Sequence, residues 1–150
     1  MRALIVEDDP VSRKLLEFIL TPYAQCETVA DGAAAVKAYQ TALKNRKPFH
    51  LVCMDILLPG MDGHQALEQI RQIEAKRGLA PQKCAKAVMV SAHNEMKNVT
   101  RSFFQGQALT FISKPYTEDE IVGELKKFGL IKDKIPKKKA APATDEAEAE

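Results

Sequence analysis

The chain has 150 residues, a formal net charge of +2 at pH 7 and 28% charged residues. That is length enough for one domain with a sizeable core, with the composition of an ordinary globular protein. So small a net charge gives no argument for nucleic acid or an anionic membrane surface as a partner, and no apolar run approaches the ~20 residues of a membrane span.

Residues 3–6 are a short apolar run rich in branched side chains, the pattern of a strand buried on both faces. A helix follows. Asp9 can cap it, Pro10 suits its first position, and Leu15, Leu16, Ile19 and Leu20 form one apolar face before Pro22 stops it. Residues 26–30 alternate in type and predict a weaker, edge strand. Asp31-Gly32 turns into an alanine-rich helix over 33–43, with a loop over 45–48 and a third strand over 51–54. Gly63 opens a helix with Ala66, Leu67, Ile70 and Ile73 on one face, and 78–81 ends it. A fourth strand spans 87–90, a fourth helix 95–105 up to Gly106, and a fifth strand 109–112. The last helix starts near Thr117, with Glu120 completing a capping box, and ends near Phe128.

Alternating strands and helices, with connections too long for hairpins, predict right-handed crossovers. The expected fold class is α/β: a doubly wound parallel sheet of five strands with helices on both faces. From about Lys132 the composition turns to charged blocks, the triplet Lys137 to Lys139 and then Asp145 to Glu150, with few large apolar residues. A domain over 1–130 and a disordered charged tail over 131–150 are expected. Its basic triplet reads as solvated linker. Cys26, Cys53 and Cys84 are an odd number without C-x-x-C spacing and read as buried free thiols. That fits a reducing cytoplasm. The first strand starts two residues after Met1, which leaves no room for a signal peptide.

Four of these strands end on residues suited to magnesium or phosphate: Glu7-Asp8-Asp9, Asp55, Ser91 and Lys114-Pro115. The C-terminal edge of an open α/β sheet is where reactive groups gather. Glu7, Asp8 and Asp55 would meet there and repel one another unless a cation intervenes. Mg2+, a hard ion that takes oxygen ligands and pairs with phosphate, is the natural guest. Lys114 offers a cation and Ser91 a donor to phosphoryl oxygens around a carboxylate nucleophile. Asp9 and Asp62 read as helix caps. His50, His64 and His93 lack metal-ligand spacing.

In five separated elements, matched in order, the chain resembles the receiver domain of two-component response regulators, the chemotaxis-regulator-like family, over about 2–130. The resemblance implies a flavodoxin-like sheet in strand order 2-1-3-4-5 with five helices. It implies that Glu7 and Asp8 are the metal-binding acid pair, Asp55 the phosphoacceptor, and the Leu57 carbonyl the third protein ligand of magnesium. Ser91-Ala92 and Phe111 match the family's switch residues, and Lys114-Pro115 its lysine and cis-proline. Leu58, Ser91 and Phe111 replace commoner residues, yet none removes a group that the chemistry needs. The implied partners are a sensor histidine kinase or histidine phosphotransfer protein, a downstream protein target, and a second copy in a phosphorylation-linked dimer. No nucleic acid, membrane or enzymatic turnover is implied.

The rival reading is a phosphatase of haloacid-dehalogenase type, which also uses an aspartate nucleophile and magnesium. It needs a second acid two residues on, where Leu57 stands. Nucleotide-binding glycine motifs are lacking. After the last helix about twenty residues remain, below the ~40 that fold unaided, so a stand-alone receiver is expected.

Overall fold

The computed structural model describes residues 1–92 and 108–132. Its strands are β1 (Arg2–Val6), β2 (Gln25–Val29), β3 (Leu51–Asp55), β4 (Lys86–Ala92) and β5 (Thr110–Lys114). Its α-helices among the described residues are α1 (Pro10–Leu20), α2 (Gly32–Lys44), α3 (Gly63–Lys76) and α4 (Glu118–Lys127). All pairings are parallel, in the order β2-β1-β3-β4-β5. The helix expected over 95–105 and the tail beyond 132 lie outside the described residues.

The strands read as they do because the sheet is covered on both faces. Successive side chains alternate between faces. Leu4, Val6, Val52, Met54 and Met89 pack with Tyr39, Leu67 and Ile70 of α2 and α3. Ala3, Ile5, Leu51, Val88 and Val90 pack with Leu16, Ile19 and Leu20 of α1 and with Ile121 and Leu125 of α4. β3, at the centre of the sheet, is buried throughout. β2 is the half-exposed edge that its alternation predicts.

Local signals set the helix starts. Asp9, Asp31 and Asp62 each accept a backbone N–H of the first turn, from Ser12 at 2.9 Å, Ala34 at 2.7 Å and Gln65 at 2.9 Å. Thr117 and Glu120 close the expected capping box. A short 3₁₀ turn, Pro81–Lys83, was not expected. β3 and β5 also run further than their apolar stretches. Asp55 pairs with Val90, and Lys114 with Ala92, so each polar residue is the last of its strand rather than the first of a loop. Ladder hydrogen bonds, which hydropathy does not register, carry the pairing onward. No helix of the described residues is long and apolar enough to cross a membrane.

Candidate functional site: an acid cluster with one lysine

Parallel strands bring their C-terminal ends to one edge, and with them Glu7, Asp8, Asp55 and Lys114. Glu7 follows β1, is fully buried, and donates its own N–H to Val29 O at 3.1 Å. Asp55 ends β3 and is 6% exposed. Lys114 reaches both, its Nζ donating to Glu7 Oε1 and Asp55 Oδ2 at 2.9 Å each. The remaining oxygens take backbone donors. Asp9 N–H donates to Glu7 Oε2, and Leu57 N–H to Asp55 Oδ1, both at 3.1 Å. The Lys114–Pro115 peptide is cis.

Glycine makes the close packing behind Asp55 attainable. A Cβ at Gly63 would collide with the Asp55 carbonyl oxygen and stand 2.8 Å from Ile56 Cα. The start of α3 therefore lies directly on the strand end, and Gly63 N–H donates to Ile56 O at 2.7 Å. Gly60, at φ +74°, takes a left-handed turn in the intervening loop.

Electrostatically the site is out of balance. Oxygens of Glu7, Asp8 and Asp55 lie within 4.8 Å of one another, and among the described residues the cation bonded to their carboxylates is the ammonium of Lys114. Burial raises the Glu7 carboxyl above its ordinary value, against the Lys114 and Asp9 hydrogen bonds that lower it, with the charge of Asp55 adding to the rise. For Lys114 burial works the other way, but the bonds to Glu7 and Asp55 prevail and hold the ammonium above its usual range. The carboxylate of Asp8 is exposed and has no hydrogen-bond donor among the described residues. Three acids at this spacing, one with free oxygens, suit a small divalent cation held by oxygen. They border a cleft of about 400 Å³ closed on one side by Leu57, Leu58 and Pro59.

Of the residues singled out in the sequence, Glu7, Asp8, Asp55 and Lys114 come together. Leu57 lies beside them, with its side chain 60% exposed. The backbone of Ser91 lies in β4 opposite Ser113, while its side chain is outside what the structure describes. Phe111 is not at the strand end. It is the second residue of β5, opposite Met89, and packs half-buried against the core on the α2–α3 face. Two residues at the site escaped the sequence reading. Arg13 of α1 donates to the Glu7 carbonyl at 2.9 Å and to the Asp8 carbonyl at 3.4 Å. Its signal was a cation in the first turn of a helix, where the macrodipole disfavours one. Tyr116 follows the cis-proline, and its hydroxyl is buried with no hydrogen-bond partner among the described residues. Nothing in the sequence marks it.

The fold and this edge can now be set beside known proteins. The model of the response regulator receiver domain matches residues 3–126. The chemotaxis protein CheY of Bacillus subtilis is 36% identical over 129 residues, covering 84% of this chain and 95% of that protein. The sensor histidine kinase GacS of Pseudomonas protegens is 36% identical over 121 residues, or 80% of this chain. The chain spans only 12% of the length of that protein, and likewise of the GacS sensor protein of Pseudomonas syringae. Among solved structures, the receiver domain of a Pseudomonas aeruginosa sensor histidine kinase, with magnesium coordinated in its active-site cleft, superposes with a TM-score of 0.66 at 26% identity. It covers 84% of this chain and 94% of that one. CheY in the CheX–CheY–BeF3–Mg complex of Borrelia burgdorferi gives 0.68 at 29% identity, over 85% and 89%. A family match across nearly all of the described fold, with a similar relative matched along almost its whole length, makes this chain a member of the response regulator receiver domain family, the signalling module of two-component systems.

Proposed function

We propose that this receiver takes a phosphoryl group onto the Asp55 carboxylate from the phosphohistidine of a sensor kinase or histidine phosphotransfer protein. A carboxylate oxygen of Asp55 forms the new bond to phosphorus as the bond from phosphorus to the histidine nitrogen breaks, and the electron pair leaves on the imidazole. The observation that carries this reading is the Lys114 ammonium bonded at 2.9 Å to both Asp55 and Glu7 inside a cluster of excess negative charge. Phosphoryl transfer asks for positioning and charge neutralisation more than for covalent help. Lys114 supplies one fixed positive charge where phosphoryl oxygens would gather, and Leu57 N–H orients the nucleophile. Glu7, Asp8 and Asp55, with the Leu57 carbonyl, would hold a magnesium ion. When bound, that ion supplies the remaining charge neutralisation at the phosphoryl oxygens.

A protein donor, rather than a small phosphate ester, is favoured by the surface beside the cleft. Val11, Leu15 and Phe18 follow one stripe of α1 and are 76%, 45% and 71% exposed, and Leu57 adds to the apolar rim. Exposed apolar side chains along a helix that starts beside the cleft residue Asp9 suit a protein contact. On the output side, Ser91 and Phe111 couple the phosphoryl group to the surface around β5 and α4, which a downstream protein reads. The acyl phosphate is tested directly. Incubated with magnesium and a small phosphodonor, the wild type is expected to gain the mass of one phosphoryl group and Asp55→Asn none. Stoichiometric labelling of Asp55→Asn overturns the assignment.

A further inference from the structure

We infer that Arg13 is a positioning residue for the acid pair: tied to the carbonyl oxygens of Glu7 and Asp8, it sets where the Asp8 carboxylate stands, and through that the affinity of the site for magnesium. The inference rests on reading the acid cluster as a magnesium site. Glu7 and Asp55 have their carboxylates held twice each, by Lys114 on one oxygen and a backbone N–H on the other. The Asp8 carboxylate is held by nothing among the described residues, so its place follows from its own backbone. That backbone lies in the bend between β1 and α1, and the half-buried guanidinium of Arg13 bonds both carbonyls of the bend through Nη1. The first backbone bond of α1, Arg13 N–H to Asp9 O at 2.9 Å, anchors the same residue from the helix side.

The chemistry of the contact matters as much as its geometry. Arg13 bonds carbonyl oxygens and leaves the carboxylates open to a metal ion. The neighbouring Lys14 is 85% exposed and reaches Glu17 at 3.9 Å, away from the acid pair. Arg13 lies in the first turn of α1, where the helix dipole disfavours a cation, and the Asp9 carboxylate at the N-cap together with the two carbonyl bonds offsets that placement.

Calorimetric titration of the full chain with magnesium tests this, together with melting in chelator. Arg13→Met keeps the aliphatic stem and removes the donors. It is expected to bind magnesium about 10-fold more weakly, the lower end of the loss seen when a partner of a metal ligand is removed, with metal-free melting unchanged. Arg13→Lys is expected to lie between it and the wild type, since an ammonium can reach one carbonyl. Asp8→Ala serves as the control for the site itself. If it binds as the wild type does, the magnesium reading fails. If it loses binding while Arg13→Met keeps wild-type affinity, or gains affinity because a nearby positive charge has gone, only the inference about Arg13 is overturned. A fall in metal-free melting at unchanged affinity would mark Arg13 as merely structural. Should Arg13→Met fail to fold, wild-type affinity in Arg13→Lys overturns the inference by itself.

Discussion

Two buried acidic regions lie at opposite ends of the sheet and are built on opposite plans. At the N-terminal edge, Glu74 of α3 is 2% exposed and accepts from the Tyr39 hydroxyl, from Arg71 Nη1 at 2.8 Å and from Ala85 N–H at 2.9 Å. Arg71 turns back to the Ala85 carbonyl at 2.8 Å. Here the acid is matched by a guanidinium, a phenol and an amide. Burial, then the bond to Glu74, raises the Tyr39 phenol well above its usual value, so it stays a donor. At the C-terminal edge, Glu7 and Asp55 share Lys114, and the Asp8 carboxylate beside them has no hydrogen-bond donor among the described residues. A satisfied network ties α2, α3 and the start of β4 together. An unsatisfied one stores repulsion that only a further cation relieves. The first plan is that of a structural network; the second has the donor set of a cation site.

The sharpest way to break this contrast is to remove each acid. Glu74→Ala leaves a buried phenol, a guanidinium and an amide without their acceptor. It is expected to cost about 3–5 kcal/mol, as for other broken buried pairs, read in urea unfolding. Asp55→Asn, by contrast, removes repulsion and is expected to leave metal-free stability equal or higher. An equal loss in both would refute the distinction. Next in size is Gly63→Ala, which drives a methyl into the Asp55 carbonyl and Ile56 Cα. Overpacking of this kind costs about 1–3 kcal/mol. Because the strike falls on the strand end, phosphoryl uptake should drop with stability.

Magnesium sharpens the comparison from the other side. At ten times its dissociation constant it should stabilise the wild type by about 1.4 kcal/mol by mass action. Asp8→Ala should show none of that gain, while a mild Glu74→Gln change should keep it whole. Melting with and without the ion measures both. The smallest expected effect is Tyr116→Phe. Its hydroxyl is buried without a partner among the described residues, and deleting an unpaired buried polar group should stabilise by about 1 kcal/mol. A loss of stability would show that the hydroxyl bonds to something outside the described residues.

The acid-lysine cluster was largely legible in the sequence because a parallel α/β sheet delivers every strand end to one edge. Once residues 3–6, 51–54 and 109–112 read as buried strands, Glu7, Asp55 and Lys114 had nowhere else to go. The caps Asp9, Asp62 and Thr117 were legible for a similar reason, since capping is local chemistry within three or four residues. The network around Glu74 was not. It joins Tyr39, Arg71, Glu74 and Ala85 across three elements, and no spacing in the chain announces that a glutamate near the end of an amphipathic helix faces inward. The end of β5 was read two residues early, at Ile112, because hydropathy stops there while the strand pairing runs on to Lys114.

By itself the sequence determined which residues alternate between strand and helix, where the helices begin, and which few polar groups end buried strands. These depend on periodicity and on contacts between near neighbours in the chain. Only the tertiary structure decided how charge is shared among those groups: that Lys114 bridges Glu7 and Asp55, that Arg13 bonds the carbonyls of Glu7 and Asp8, and that Gly63 has no space for a side chain. Hydrogen bonds and close contacts between distant residues depend on ångström-scale placement, and that exists only once the strands have paired and the helices have packed.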